Sequence, residues 1–175
     1  MLHYVSHDPD AVEFGKAAIA YQIAKAESDS FLSQALLNQD AEKKCDATWA
    51  HTFLKIAVAG ARSEDFETYF SKVTVIDFNY DRVLKQYLYS ALQRLYGLAP
   101  VDAAQCLKQL NVIRPYGSLG ALEWEGEERR LAFGDQDVDL ATASSGIRTY
   151  TEERSSGQTE QIEIARSETH RFAWY

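Results

Sequence analysis

The sequence predicts a mixed α/β fold in which helices flank a parallel sheet, and three observations support this prediction. A nearly continuous β-branched run over residues 73–78 is typical of a strand that is covered on both faces. Residues 83–95 repeat apolar side chains at intervals of three and four, as an amphipathic helix does. A further helix over 101–110 then leads into a second short apolar strand at 112–113. This order of strand, helix, helix and strand is typical of the crossover between two parallel strands.

The first 70 residues are predicted to be helical. Asp8 is placed to cap a helix that begins at Pro9 and extends to residue 37, with a break near residues 28–30. A helix over 46–59 follows, and its apolar face is predicted to be buried. That face carries Trp49, Phe53, Ile56 and Ala57. We therefore expect a single domain, or a fragment of one, over residues 1–175, helical over 1–70, with the strand-end motifs and the sheet in 71–175.

The region after the second strand is predicted to add a small antiparallel hairpin from residues 122–124 and 130–133, a strand at 147–150 and a short helix over 160–169. No apolar strand precedes the first helix, and the sequence stops within an aromatic segment at 171–175. We therefore expect a sheet that is incomplete at both ends.

Composition argues against several classes of partner. The 175 residues include 18 Lys plus Arg and 26 Asp plus Glu, a formal net charge of −8. A strongly acidic surface repels phosphate backbones and anionic lipids, so nucleic acid and membranes are not expected as partners. No stretch approaches the roughly 20 apolar residues that a bilayer crossing needs, and the start lacks a secretion signal, so the sequence predicts a cytoplasmic protein. Cys45 and Cys106 have no metal-ligand spacing, so no metal is expected.

Two polar motifs follow the two predicted strands. Asn79-Tyr80-Asp81 follows the first strand, and Tyr116-Gly117-Ser118 follows the second. Carboxyl ends of neighbouring parallel strands meet at one edge of a sheet, where ligands gather. The Asn79 carboxamide can both donate to and accept from ribose hydroxyls. The residues alone leave open a second interpretation, in which these motifs are only a helix cap and an ordinary turn.

The two motifs, with Gly15 to Ala20 and the helices before the first strand, resemble the sirtuin-like NAD-binding domain family, whose bacterial members include proteins of anti-phage defence. The resemblance implies a Rossmann-like sheet, NAD as the ligand, and cleavage of the nicotinamide glycosidic bond. It implies Asn79 and Tyr116 as the catalytic positions. The implied NAD contacts are Phe78, Asn79, Tyr80, Asp81, Gly117 and Ser118.

The sequence also departs from the pattern of this family. It contains no Gly-x-Gly phosphate loop, and Tyr116 occupies the position where catalytic members carry a histidine base. A tyrosine with an ordinary pKa of about 10 is a poor base near neutral pH, so we expect little NAD cleavage by this chain. The paired-cysteine zinc module of sirtuin deacylases is absent from the sequence, which favours NAD hydrolysis over protein deacylation.

Three other interpretations fit the same residues. The first is a non-catalytic helical module that binds a protein partner, the second is a relative of the NAD-dependent deacylases, and the third is a different Rossmann-like nucleotide binder. The sequence leaves open whether the partner is another protein or a second copy of the chain.

Overall fold

The computed structural model describes residues 8–35, 39–59, 63–126 and 131–148, and the single positions 159 and 163. These ranges form a helix-rich α/β structure with a two-stranded parallel sheet. The helices are α1 (Pro9–Ser28), α2 (Phe31–Ala35), α3 (Gln39–Asp46), α4 (Trp49–Ala57), α5 (Val83–Tyr96), α6 (Pro100–Leu107) and α7 (Leu140–Ser145). The strands are β1 (Thr74–Ile76) and β2 (Asn111–Ile113), and 3-10 helices span Ser63–Thr68 and Glu123–Glu125.

Helix α1 begins and ends where local sequence chemistry predicts. The Asp8 carboxylate accepts hydrogen bonds from the main-chain amides of Asp10 at 3.1 Å and Ala11 at 3.3 Å, which satisfies two donors that have no partner inside the helix. The helix ends at Ser28, so the predicted break near residues 28–30 is confirmed.

The predicted helix over 46–59 is wrong in its start and in its buried face. Asp46 ends α3, and α4 begins only at Trp49. Trp49 and Ile56 are 68 % and 60 % exposed, whereas Ala50 and Leu54 are buried. Both faces of α4 carry apolar residues, so periodicity alone does not distinguish the face that packs against the core. The remaining two predicted core residues, Phe53 and Ala57, are half-buried.

The two strands are parallel neighbours, as predicted. Thr74, Val75 and Ile76 lie opposite Asn111, Val112 and Ile113. The main-chain amide of Asp77 also donates to the Ile113 carbonyl at 2.9 Å, which holds the chain together just beyond the strands. The prediction that β1 is covered on both faces is wrong, because Val75 and Ile76 are only half-buried and border a cleft. The structure confirms a parallel α/β core, but the described ranges contain no further strand of a complete Rossmann-like sheet.

Helix α5 is the central packing element. Asp81 accepts a hydrogen bond from the Val83 amide at 3.1 Å at its start, and Gly97 ends it in the left-handed conformation with φ +68°. Its buried Leu88 and Leu92 pack in the main core with helices α4 and α6 and the Ser63–Thr68 3-10 helix. A second, smaller core joins α1 to α7. It contains Ala20, Ala24, Leu119, Ala143 and Ile147.

The chain after β2 differs from its prediction. Residues 123–125 form a 3-10 helix instead of a hairpin strand, and the contact with the returning segment is a hydrogen bond from the Leu131 amide to the Ala121 carbonyl at 3.0 Å. Residues 127–130, which include the second half of the predicted turn at 125–128, lie outside the described residues, as do residues 149–150 of the predicted strand and most of the predicted helix over 160–169. Ile147 forms only an isolated antiparallel bridge with Gly117.

Candidate functional site

A cleft of about 660 Å³ lies at the carboxyl end of β1. One wall consists of β1, the segment 77–81 that follows it, and the start of α5. The opposite wall consists of the junction between α1 and α2 and the junction between α3 and α4. A cleft of this volume is within the range of small-molecule sites.

The segment after β1 contributes polar residues to the lining. Asp77, Phe78, Asn79 and Asp81 all line the cleft, and the Asn79 side chain is exposed to solvent. The main-chain amide of Asn79 donates to the Asp77 carboxylate at 3.0 Å, which closes a tight turn directly after the strand. Three of the six predicted NAD contacts, Phe78, Asn79 and Asp81, thus line an open cleft.

Tyr80 and Tyr116 occupy different places from these three residues. The Tyr80 hydroxyl donates to the Arg148 carbonyl at 3.1 Å, and its side chain packs beside the smaller core. The Tyr116 ring lies 6.2 Å from the Phe78 ring and 6.5 Å from the Tyr80 ring, measured between centroids. Tyr116 is therefore next to the cleft, at its edge, and not part of its lining.

Gly117 and Ser118 are occupied by contacts within the chain. Gly117 has φ +77°, and a Cβ added there would lie 1.9 Å from the Gly146 carbonyl oxygen. The close approach that requires glycine at this position is therefore made by the backbone of Gly146. The Ser118 amide donates to the same carbonyl at 3.2 Å, and the Ser118 hydroxyl accepts from the Gly120 amide at 3.4 Å. Neither residue lines the cleft.

The two strand-end motifs are nevertheless joined directly. The Leu119 amide donates to the Tyr80 carbonyl at 3.3 Å. Asp77 and Arg114, which follow β1 and β2, form an ion pair, with both Nε and Nη2 of Arg114 at 3.3 Å from Asp77 Oδ2. These contacts fix the two motifs side by side at the carboxyl edge of the sheet.

The lining of the cleft is acidic. Asp29, Asp77 and Asp81 are the charged residues of the described lining, which contains no Lys or Arg. The charge of Asp77 is offset by Arg114 just outside the lining. The cleft therefore favours neutral or cationic groups over phosphate.

The sequence interpretation missed the second wall of the cleft. Phe31 and Trp49 line it and are 50 % and 68 % exposed, and Phe78, in the first wall, is 58 % exposed. The Lys44 ammonium lies 4.8 Å from the centre of the Phe31 ring. Three exposed aromatic rings around a cleft are a set of stacking surfaces, and only their exposure in the folded chain distinguishes them from core residues.

A hydrogen-bonded network holds Tyr87, whose side chain lines the cleft between its walls. The Tyr87 hydroxyl donates to Asp46 Oδ1 at 3.1 Å, lies 3.0 Å from His51 Nδ1, and is oriented further by Arg94, whose Nη2 bonds the same carboxylate oxygen at 2.5 Å. Burial raises the pKa of Tyr87 well above its usual range, and the hydrogen bond to Asp46 raises it further. Tyr87 therefore remains protonated and fixed in orientation at neutral pH.

Two further properties concern the described ranges as a whole. None of their helices combines the length and the apolar content that a membrane crossing requires. They also contain no group of three or more His, Cys, Asp or Glu side chains arranged to hold a metal ion.

Comparison with known protein families, with curated proteins and with solved structures found no match to this chain.

Proposed function

We propose that the chain binds NAD, with the nicotinamide and its ribose in the cleft at the carboxyl end of β1. The observation that carries this proposal is the position of Asn79 and Asp81, which line an open cleft at the edge of a parallel sheet. Ligands of open α/β sheets bind at this edge, beyond the ends of the strands.

The chemistry of the lining supports the nicotinamide half of the dinucleotide as the part inside. Oxidised nicotinamide is a cationic aromatic ring, and the cleft offers aromatic rims and aspartates without a lysine or arginine in the described lining. The exposed Asn79 carboxamide can donate to one ribose hydroxyl and accept from another. The acidic lining leaves the two phosphates outside the cleft, toward solvent.

The same groups support cleavage of the glycosidic bond as the parent reaction. In hydrolysis the bond between C1′ of the ribose and the ring nitrogen breaks, the electron pair stays on nicotinamide, and water adds to C1′ with loss of a proton. The ribose becomes positively charged in the transition state, and nearby carboxylates such as Asp81 stabilise that charge. Tyr116 occupies the position at which the family resemblance places the base, and a phenol is a poor base at pH 7, so we expect proton removal to be slow.

Calorimetric titration of the folded chain with NAD tests the proposal. The Asn79→Ala variant removes the ribose contact, so we expect its Kd to rise about ten-fold, a change typical of a lost hydrogen bond to a neutral group. Asn111→Ala is the matched control, because Asn111 is also an exposed asparagine of the sheet but lies at the other end of β2, where its amide is 3.3 Å from the Thr74 hydroxyl. Its affinity should equal that of the unmodified chain.

A titration with NADH tests the role of charge. Reduced nicotinamide is neutral and puckered, so it should bind more weakly than NAD if the acidic aromatic cleft holds the ring. Equal affinities would contradict placement of nicotinamide in the cleft.

No binding of either dinucleotide to the folded chain would contradict the whole proposal and leave the non-catalytic interaction module as the better interpretation. Nicotinamide release, followed in the same samples, should be slow and should increase in Tyr116→His.

A further inference from the structure

The most deeply buried charged groups of the described ranges form an ion pair between Glu27 and Arg82. Both residues are 1 % exposed. Arg82 Nη2 lies 2.6 Å from Glu27 Oε2, and Arg82 Nε lies 3.2 Å from Glu27 Oε1. The same Oε1 also accepts the main-chain amide of Arg82 at 2.7 Å. One carboxylate therefore holds both the side chain and the backbone of Arg82.

The remaining guanidinium donors reach three main-chain carbonyls. Nη1 donates to Leu131 at 2.7 Å and to Ala121 at 3.3 Å, and Nη2 donates to Ala132 at 3.3 Å. All five N–H groups of Arg82 therefore have acceptors, which is the arrangement that a buried guanidinium requires.

These bonds join segments that are far apart in sequence. Glu27 is in the last turn of α1, and Arg82 directly follows the cleft segment Asn79–Asp81. Ala121 lies three residues after Ser118, on the chain that follows β2. The cluster thus connects α1 and both strand-end motifs behind the cleft.

Stability alone does not account for such a pair. Removing two charges from water is costly, and apolar residues of similar volume often stabilise a core at least as well. An ion pair with fixed geometry has a different effect, since it permits only one arrangement of the backbones that it bonds.

We propose that Glu27 and Arg82 are positioning residues for the cleft, an inference that rests on the proposed function for its link to NAD. The Glu27 carboxylate fixes the backbone one residue after Asp81, and Arg82 fixes the chain that follows Tyr116–Ser118. Together they set the direction in which Asn79 and Asp81 face the ligand. Neither residue lines the cleft.

The double variant Glu27→Leu/Arg82→Met tests this role, because it removes both charges and leaves neither one unpaired in the core. We expect it to fold, with a cooperative melt and the circular dichroism of the unmodified chain, but to bind NAD about ten-fold or more weakly, since misplaced contacts lose most of their value. Its peptides over 77–82 and 115–121 should exchange amide hydrogens faster. The α4 peptide over 49–58, away from the cluster, should be unchanged.

An ion pair that involves the first turn of α5 provides the matched control. Lys85 pairs with Glu125, and their side chains are 21 % and 14 % exposed. Lys85→Met removes a charge three residues from Arg82 without touching the cleft segment, so it should alter neither NAD affinity nor exchange over 77–82. If the double variant does not fold, Arg82→Lys replaces it, because lysine keeps the charge beside Glu27 but loses the fork that reaches the three carbonyls.

The exchange measurement separates this inference from the proposed function. If the unmodified chain does not bind NAD, the proposed function fails, and faster exchange confined to the two cleft-side peptides still supports the positioning role. If a folded double variant, or Arg82→Lys in its place, keeps the exchange pattern and NAD affinity of the unmodified chain, the positioning role is overturned.

Discussion

Gly117 illustrates how single residues decide the local path of the chain beside the cleft. Its φ of +77° and its contact with the Gly146 carbonyl both require a residue without a side chain. Gly97 has a similar φ of +68° but no heavy atom within 4 Å of an added Cβ. The two glycines therefore separate the effect of backbone conformation from the effect of a steric clash.

We expect Gly97→Ala to lower the free energy of unfolding by about 1–2 kcal/mol, the cost of placing an L-residue in the left-handed region. Gly117→Ala should lower it by about 2–5 kcal/mol, because the clash with Gly146 adds to the same conformational cost. Urea denaturation of both variants measures the difference. Equal losses of stability would mean that the segment around Gly146 moves away freely, and that the antiparallel bridge between Gly117 and Ile147 contributes little.

At the scale of elements, helix α4 has two apolar faces, only one of which packs in the core. Leu54 is fully buried and Ala50 nearly so, and they face α5 in the main core. Trp49 and Ile56 point outward, and Trp49 lies at the rim of the cleft. The orientation of this helix therefore supplies both core packing and one aromatic surface of the candidate site.

Paired truncations test this orientation. Leu54→Ala should lower the free energy of unfolding by about 2–5 kcal/mol, because it leaves a cavity in a closely packed core. Ile56→Ala removes a side chain of the same size from the exposed face and should change stability by about 0.5 kcal/mol or less. Thermal melts of the two variants compare them directly. A larger loss in Ile56→Ala would mean that α4 is rotated relative to its described orientation.

The sequence predicted those elements whose local chemistry was unambiguous. The β-branched run before Asp77, the apolar spacing of α5 and the capping residue Asp8 led to the correct element types and to two parallel strands. The hairpin after Leu122 and the buried face of α4 were wrong, because both depended on which of two possible faces or partners the rest of the chain offered.

The candidate site was predictable in part for the same reason. Asn79 and Asp81 were identified from their position after a strand, since parallel strands end at one edge. Gly117 and Ser118 were identified by the same argument, but they bond to the Gly146 segment, which is 28 residues further along the sequence. Phe31, Trp49 and Glu27 lie on helices, and Arg82 directly precedes one. The relative placement of these helices depends on tertiary packing, and no local spacing indicates it.

At the scale of the whole molecule, two cores are joined across the buried ion pair. The main core surrounds α5, and the smaller core lies between α1 and α7. Glu27 belongs to α1 and Arg82 precedes α5, so their bonds span the boundary between the cores. We therefore expect the described ranges to unfold as one cooperative unit.

Chemical labelling of the Cys106 thiol tests whether the chain unfolds as one cooperative unit. It is fully buried in the main core, and burial raises the pKa of its thiol to about 12, so the reactive thiolate is nearly absent at pH 8. In a Cys45→Ser background, where Cys106 is the remaining thiol, we expect labelling by a disulfide reagent to proceed only when the main core opens. Labelling rates at increasing urea concentrations should follow the unfolding equilibrium that is measured by tryptophan fluorescence. Trp124, which is stacked on Tyr89 at a centroid distance of 4.6 Å, is one of the fluorescent probes.

Because the smaller core is joined to the main core through Glu27 and Arg82, amide exchange over residues 16–27 of α1 should have the same urea dependence as Cys106 labelling. Labelling that proceeds in native buffer while the fluorescence is unchanged, or α1 amides that exchange at lower urea concentrations than Cys106 reacts, would contradict a single cooperative unit.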